Sequence, residues 1–571
     1  MPWNPVTIGS EVLAVHAAFL NFDRILFLGG DQHDPKLAKL HQVEATRLYQ
    51  CNSGTITKVA SPPWDAFCSG HALTAHGTLM LGGGTYAFKG VVGGLHHEHF
   101  PGVRDTAICR YEQSGFGWHG AASFSPGENA PLCRTGQNPE VDQCTVRANY
   151  GKSGGRWYPT LVTLGDGDVL AIGGHPGAGD REHDNYIPEV FTPDPPPRGA
   201  WHRLGSFTDP VQDPSFKLHA ITNYPRVHLL PTGDVLYASP TMQQKTVTMT
   251  VKKAPWSGTF ASVCKFSPLA HENEYGGYGE TSVLLPLVHP HFHASVMVLG
   301  GTHPWILDLR DWQPGVTQEN AIQWHQTPPR KLPGAPRRMH GHAVLLPTGE
   351  VLSVGGVAGV RQASGEVLPL DASAVLWPEI YDPFQSDPAK RWRALTNPSE
   401  HEKVPRNYHS VALLMRDGRV WTAGSDHNAG TGTGPGEAAE LRIEIYEPWY
   451  HGNSDRPEIL AAPDHWLTGQ EFVIRSTQAN RIRRVAQVRC GSCTHGFNPD
   501  QRYLSLKFKH DGGDILTVTA APNGNVAPPG FYFLYTVNDH GLPSEGITIY
   551  HSTDPETHTE RAWDALYHGE G

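Results

Sequence analysis

The chain has 571 residues, too many for one ordinary domain, so two or more units or one large repeat domain are expected. Hydrophobic residues make up 39% and charged residues 18%, with 62 glycines and 48 prolines; that mixture suits a folded, turn-rich β protein and argues against disorder. The formal charge is −11 with no basic patch, which disfavours nucleic acid as a partner, and no apolar run is long enough to span a membrane.

The start, Met1-Pro2-Trp3-Asn4, lacks a basic segment followed by a long apolar core. No secretory leader is expected, and the chain as written reads as cytoplasmic. Short apolar runs ending in small residues then recur at 25–30, 79–84, 169–174, 235–239, 296–301, 351–356 and 420–424. Most follow a turn: His76-Gly77, Asp166-Gly167, Thr232-Gly233, Thr348-Gly349 or Asp417-Gly418. Each unit reads as a strand, a two-residue turn, a second strand and a glycine pair by which the chain leaves. The intervals leave room for a four-stranded sheet and a variable loop. Seven such units predict a seven-bladed, kelch-like β-propeller over residues 1–452, with hairpins stacked in sandwiches as the alternative.

After about Pro448 the pattern changes. Short alternating runs at 471–475, 485–488, 503–508, 515–520, 530–537 and 547–550 are separated by turn residues. They predict an all-β, immunoglobulin-like sandwich over 453–553, followed by a polar tail at 554–571.

Aligning the hairpins on their turn glycines brings reactive residues into register. Nine residues before Gly77, Gly167, Gly233, Gly349 and Gly418 stand Cys68, Tyr158, Tyr224, His340 and His409, with Tyr408 one further back. Equivalent strand starts in a propeller converge on one end of the central channel, a default place for a ligand. Imidazole with phenolate oxygen suits copper(II). Tyr408 and His409 are neighbours, so a regular strand would send them to opposite faces; one ion can hold both only if the strand is irregular there.

Four segments carry a family resemblance: Phe67-Cys68-Ser69-Gly70, Arg156-Trp157-Tyr158-Pro159-Thr160, Arg406-Asn407-Tyr408-His409-Ser410, and Thr494-His495-Gly496-Phe497-Asn498-Pro499-Asp500-Gln501-Arg502. In this order the sequence resembles the copper radical oxidases, the galactose oxidase and glyoxal oxidase family, whose architecture is a seven-bladed propeller followed by a sandwich. Without an N-terminal carbohydrate-binding domain, it is expected to lie nearer the glyoxal oxidase branch and its bacterial relatives. The resemblance implies one copper ion per chain, bound by Tyr158, Tyr408, His409 and His495. It implies a thioether between Cys68 and the Tyr158 ring, which then carries a radical, and a proton-accepting role for Tyr408. His495 is expected on a sandwich loop that reaches into the channel. The implied reaction oxidises a primary alcohol, or a simple aldehyde as its hydrate, and reduces dioxygen to hydrogen peroxide. A monomer is expected; the family's members are mostly secreted.

Each residue also has a plainer reading. Cys68 alone is a small buried hydrophobe, and Tyr158 and Tyr408 alone are core tyrosines with bonded hydroxyls. Tyr224 and His340 are channel-lining or structural residues, or candidate substrate contacts; Tyr278 is a weaker candidate of the same kind. Trp157 should face away from Tyr158 by strand alternation. His289, His291 and His293 alternate but lack further ligands, which favours a solvated segment. His96, His97 and His99 fall in a long insertion. Cys490 and Cys493 are either a small disulfide bracing the His495 loop or two thiols, depending on compartment. Loops around 91–98, 181–186 and 430–436 are expected to wall the pocket. The competing functional classes are a catalytically silent propeller that binds a protein partner and a lectin-like, carbohydrate-binding propeller.

Overall fold

A computed structural model describes residues 3–5, 9–21, 23–29, 45–85, 102–112, 115–124, 155–174, 188–193, 199–204, 223–238, 246–253, 255–264, 279–301, 303–314, 322–328, 330–331, 336–361, 367–368, 370–426 and 439–555. His96, His97, His99, Tyr278 and the three predicted pocket loops lie outside the described residues.

Seven antiparallel sheets stand in a circle around a channel. Their innermost strands are His16–Leu20, Gly70–Leu73, Thr160–Thr163, Val227–Leu229, Thr281–Leu284, Met339–Leu345 and Ser410–Leu414. We number the blades one to seven in that order. Aliphatic residues fill both faces of these strands because each blade packs face to face with its neighbours; in blade seven Val411 and Leu413 on one face and Ala412 on the other are all buried. Trp3–Pro5 pairs with Glu444–Tyr446 as the outermost strand of blade seven, so the start of the chain closes the circle.

The hairpin turns are one residue longer than the sequence reading supposed. In blade three, Leu164 N–H donates to Asp168 O (2.8 Å) and Gly167 N–H to Leu164 O (3.0 Å), leaving a three-residue loop that ends on a left-handed glycine, Gly167 at φ 92°. Blades two, four, six and seven repeat this pattern. It is a type I turn with a glycine bulge, whose positive φ restores the strand twist.

A buried ionic strut recurs behind the glycine pairs. Arg156 donates to Gly173 O (2.7 Å) and to Glu189 (2.9 Å). Arg338 reaches Gly355 O and Glu379, and Arg406 reaches Gly424 O and Glu444. The three acids open the third strands Glu189–Thr192, Glu379–Tyr381 and Glu444–Tyr446, so an Arg, a glycine carbonyl and a Glu-x-aromatic segment form one repeated unit.

The second domain is two sheets sharing one long strand, Tyr503–Gly512. Its first half pairs with Ile482–Arg489 and its second with Ile515–Thr519. Alternating exposure along Glu471–Ser476 shows one face on the core and one in solvent. The strand Ser492–Thr494 leaves the sandwich and pairs antiparallel with His16–Ala18 of blade one, as a fifth strand inside the channel. Leu287–Val288 of blade five pairs in turn with Leu504 and Ser505. The segment 289–293 of blade five is a turn with His291 and His293 exposed, as the sequence reading favoured.

Candidate metal centre

Cys68, Tyr158, Tyr224 and His409 sit just before the innermost strand of a blade and His340 at the second residue of one, and each has a left-handed backbone: in chain order φ is 60°, 64°, 45°, 58° (His340) and 61° (His409). His495 joins them at 48°. These six are the majority of the ten non-glycine residues with positive φ among the described residues, so the fold's backbone strain is concentrated here. Backbone bonds tie the positions together: Tyr158 N–H donates to Cys68 O (2.9 Å) and Tyr224 N–H to Tyr158 O (2.7 Å). Gly424 permits the close approach, since a Cβ there would lie 2.5 Å from His409 O.

A left-handed residue breaks strand alternation. The rings of Tyr408 and His409 therefore stack, with centroids 3.8 Å apart, instead of pointing to opposite faces. The same conformation at Tyr158 corrects the expectation for Trp157: its ring lies flat on Tyr158, with centroids 3.9 Å apart and planes 12° from parallel. Tyr224 covers Tyr158 at 4.5 Å. Its hydroxyl donates to Ser69 O (2.8 Å), and burial raises its pKa well above the usual phenol value.

His495 arrives from the second domain. Thr494 and Phe497 exchange both backbone hydrogen bonds, 3.0 and 2.9 Å, and His495-Gly496 form the two-residue tip with φ 48° and 73°. Two positive φ values in a two-residue hairpin make a type I′ turn. The motif that follows anchors this hairpin to the channel wall. Asp500 accepts from Leu73 N–H (2.9 Å) in blade two. Gln501 accepts from Leu345 N–H (3.1 Å) and donates to Ala343 O (2.8 Å) in blade six. Arg502 donates to Leu229 O (3.0 Å) in blade four. Arg226 holds the tip itself, donating to His495 O (2.9 Å).

The cluster is competent for a metal. Cys68 Sγ and one ring nitrogen each of His409 and His495 lie within 4.8 Å of one another, all buried. Tyr158 and Tyr408 share a short hydroxyl–hydroxyl hydrogen bond, and their rings stand 5.0 and 5.3 Å from that of His495. Partners on the far nitrogens set the tautomers. His409 Nδ1 is 2.6 Å from the Asp426 carboxylate, which only accepts, so Nδ1 carries the proton and Nε2 keeps its lone pair. Thr494 donates to Val15 O (2.9 Å) and so accepts from His495 Nδ1 (2.6 Å), again leaving the lone pair on Nε2, 3.9 Å from Cys68 Sγ. Burial, followed by the nearby His409, holds the His495 pKa well below the usual imidazole value, so the ring stays neutral and able to ligate. Two imidazole nitrogens beside two phenol oxygens fit copper(II). Burial likewise pushes the Cys68 thiol well up, opposed by a hydrogen bond with Tyr158.

His340 is buried, with its ring 5.1 Å from that of Tyr408. Asp426 and Arg226 escaped the sequence reading, since nothing in their spacing marks them, and Thr494 opens the last of the four segments but was given no role. Cys490 and Cys493 are buried, unbridged thiols, and Cys493 Sγ lies 3.6 Å from His342 Nδ1.

Fold and site together define a propeller–sandwich protein with a buried cluster of nitrogen and oxygen donors, contributed by both domains, that could hold a metal ion. The family described as Glyoxal oxidase N-terminus matches residues 132–450, and Galactose oxidase-like, Early set domain matches 456–550. The first match covers more than half of the chain, which belongs to the glyoxal oxidase family. An aldehyde oxidase GLOX from Vitis pseudoreticulata is 29% identical over 68% of this chain and 71% of that protein. A galactose oxidase from Gibberella zeae is 31% identical over 36% of this chain and 28% of its own length. The solved structure of a fungal alcohol oxidase in complex with copper shares the fold, with a TM-score of 0.69 at 21% identity, covering 96% of this chain and 99% of that one.

Proposed function

We propose that this protein is a copper radical oxidase that oxidises primary alcohols or simple aldehydes, the latter as hydrates, and reduces dioxygen to hydrogen peroxide. The observation that carries this reading is the meeting of Cys68, Tyr158, Tyr408, His409 and His495 at one buried point. His409 and His495 would hold copper through Nε2, and Tyr158 and Tyr408 through their phenol oxygens. Copper, when bound, supplies Lewis-acid polarisation of the substrate oxygen and a store for one electron.

The side chains do the rest. Tyr408 takes the proton of the substrate hydroxyl as general base. Tyr158, oxidised beforehand, takes a hydrogen atom from the substrate carbon. Together these remove two protons and one electron; the second electron would pass to the one-electron store that bound copper supplies, and dioxygen takes back both electrons and both protons as hydrogen peroxide. A thioether between Cys68 and the Tyr158 ring forms with loss of two hydrogens to dioxygen. It spreads the unpaired electron onto sulfur, which brings a phenol within reach as an oxidant. Trp157 covers the Tyr158 ring and excludes water from it.

The relatives are named for aldehyde, galactose and alcohol oxidation, which supports both substrate classes here. Peroxide release by the copper-loaded protein across a panel of alcohols and aldehydes tests the reading. Turnover with members of either class is expected; no peroxide from any of them, with copper bound, overturns it.

A further inference from the structure

Five aligned blade positions face the centre, and four have an evident task in the proposed oxidase. Cys68 and Tyr158 form the cross-linked pair, His409 is a ligand, and Tyr224 covers the Tyr158 ring while its hydroxyl is committed to Ser69 O. The fifth is His340. It shares the strained left-handed backbone, at φ 58°, that aims the other four inward. Its ring lies 5.1 Å from that of Tyr408, the proton acceptor of the reaction. A neutral imidazole ring there offers one hydrogen-bond donor and one acceptor.

A hydrated aldehyde carries two hydroxyls on one carbon. One gives its proton to Tyr408. The other enters the same buried space and costs free energy there unless it finds a hydrogen-bond partner. A primary alcohol carries hydrogen at that place and needs no such partner. The geometry points to His340 as the specificity-determining residue that hydrogen-bonds the second hydroxyl of an aldehyde hydrate. The chain's oxidase activity is thereby directed toward aldehydes. This inference rests on the oxidase reading above and names a substrate preference for the same site. The reaction remains balanced: RCH(OH)2 and O2 give RCOOH and H2O2.

The test uses a minimal pair of substrates, formaldehyde, present in water as methanediol, and methanol, which differ by that hydroxyl alone. The copper-loaded wild type, His340→Phe and His340→Asn are compared. Phe keeps a ring without nitrogen, and Asn tolerates the left-handed backbone while being too short to reach. The ratio of kcat/KM for formaldehyde to that for methanol should fall roughly 10- to 100-fold in both variants, the scale of losing a hydrogen bond to a substrate hydroxyl.

A second readout needs no turnover. Hexafluoroacetone hydrate is a geminal diol without a hydrogen on its central carbon, and hexafluoro-2-methyl-2-propanol is its single-hydroxyl counterpart. By calorimetry, wild type should prefer the diol about tenfold, and both variants should lose that preference. Copper content and the mass of the cross-linked chain should match wild type in both variants. A substrate ratio and diol preference unchanged by both substitutions overturn the proposal. Failure of the oxidase reading would instead appear as a wild type that releases no peroxide at all.

Discussion

The hydroxyls of Tyr158 and Tyr408, 250 residues apart in the chain, are hydrogen-bonded to each other inside the channel. Blades three and seven deliver them, and neither strand is a sequence neighbour of the other. His495 packs against both rings, so the two phenols given the proton-accepting and radical roles in the proposed reaction meet at one buried point.

Tyr158→Phe removes the electron acceptor and leaves the ring stack in place. Peroxide release should fall by about 1,000-fold or more, the scale seen when a group acting only in the transition state is lost. In wild type, copper and oxygen should lower the intact mass by about 2 Da through thioether formation, and Cys68→Ser should abolish that change. A mass loss that persists in Cys68→Ser would remove the cross-link from the mechanism.

Asp426 fixes the His409 tautomer from 2.6 Å and touches no substrate in this reading. Asp426→Ala should weaken copper binding about 10- to 100-fold, as for other carboxylates behind a ligating imidazole. Competition with a chelator of known affinity measures it. An unchanged affinity would mean that Asp426 does not orient the ligand.

The Arg156–Glu189 strut is fully buried. Arg156→Ala strands the Glu189 carboxylate and should cost about 3–5 kcal/mol in chemical denaturation, whereas replacing both residues by apolar ones of similar volume should cost much less. Equal losses in the single and double variants would contradict this.

Acid should destabilise the fold through its buried imidazoles. Burial lowers the pKa of His228, His342 and His551 to about 3. The unfolded chain takes up protons near pH 6.5 and the native state only near 3, so stability is complete above pH 6.5 and falls as pH drops toward 3. Each group adds a slope of about 1.4 kcal/mol per pH unit. His551 lies in the sandwich, far along the chain from the ligands, and accepts from Trp466 Nε1 (3.0 Å). His551→Asn should make the melting temperature less sensitive to pH between 6.5 and 4; an unchanged pH slope would rule out a contribution from this residue.

Much of the site was legible in the chain because a propeller repeats one local pattern. Register against the turn glycines brought Cys68, Tyr158, Tyr224, His340 and His409 to equivalent strand starts, and equivalent positions in a closed circle must converge. The Arg-to-Glu struts were equally periodic and could have been found from the recurring Glu-Val-Phe and Glu-Ile-Tyr at 189–191, 379–381 and 444–446. Trp157 was misread because alternation assumes an extended backbone, and the left-handed φ of Tyr158 breaks it.

Sequence alone determined the residue types, their spacing and the blade count, since these follow from local periodicity. Tertiary structure decided the rest: that Trp3–Pro5 closes blade seven, that the His495 hairpin lies beside His16–Ala18, and that Asp426 and Thr494 face the Nδ1 atoms of His409 and His495. The first two pairings join segments hundreds of residues apart. No local preference encodes such contacts; they arise when burial and hydrogen bonding are satisfied over the whole circle at once.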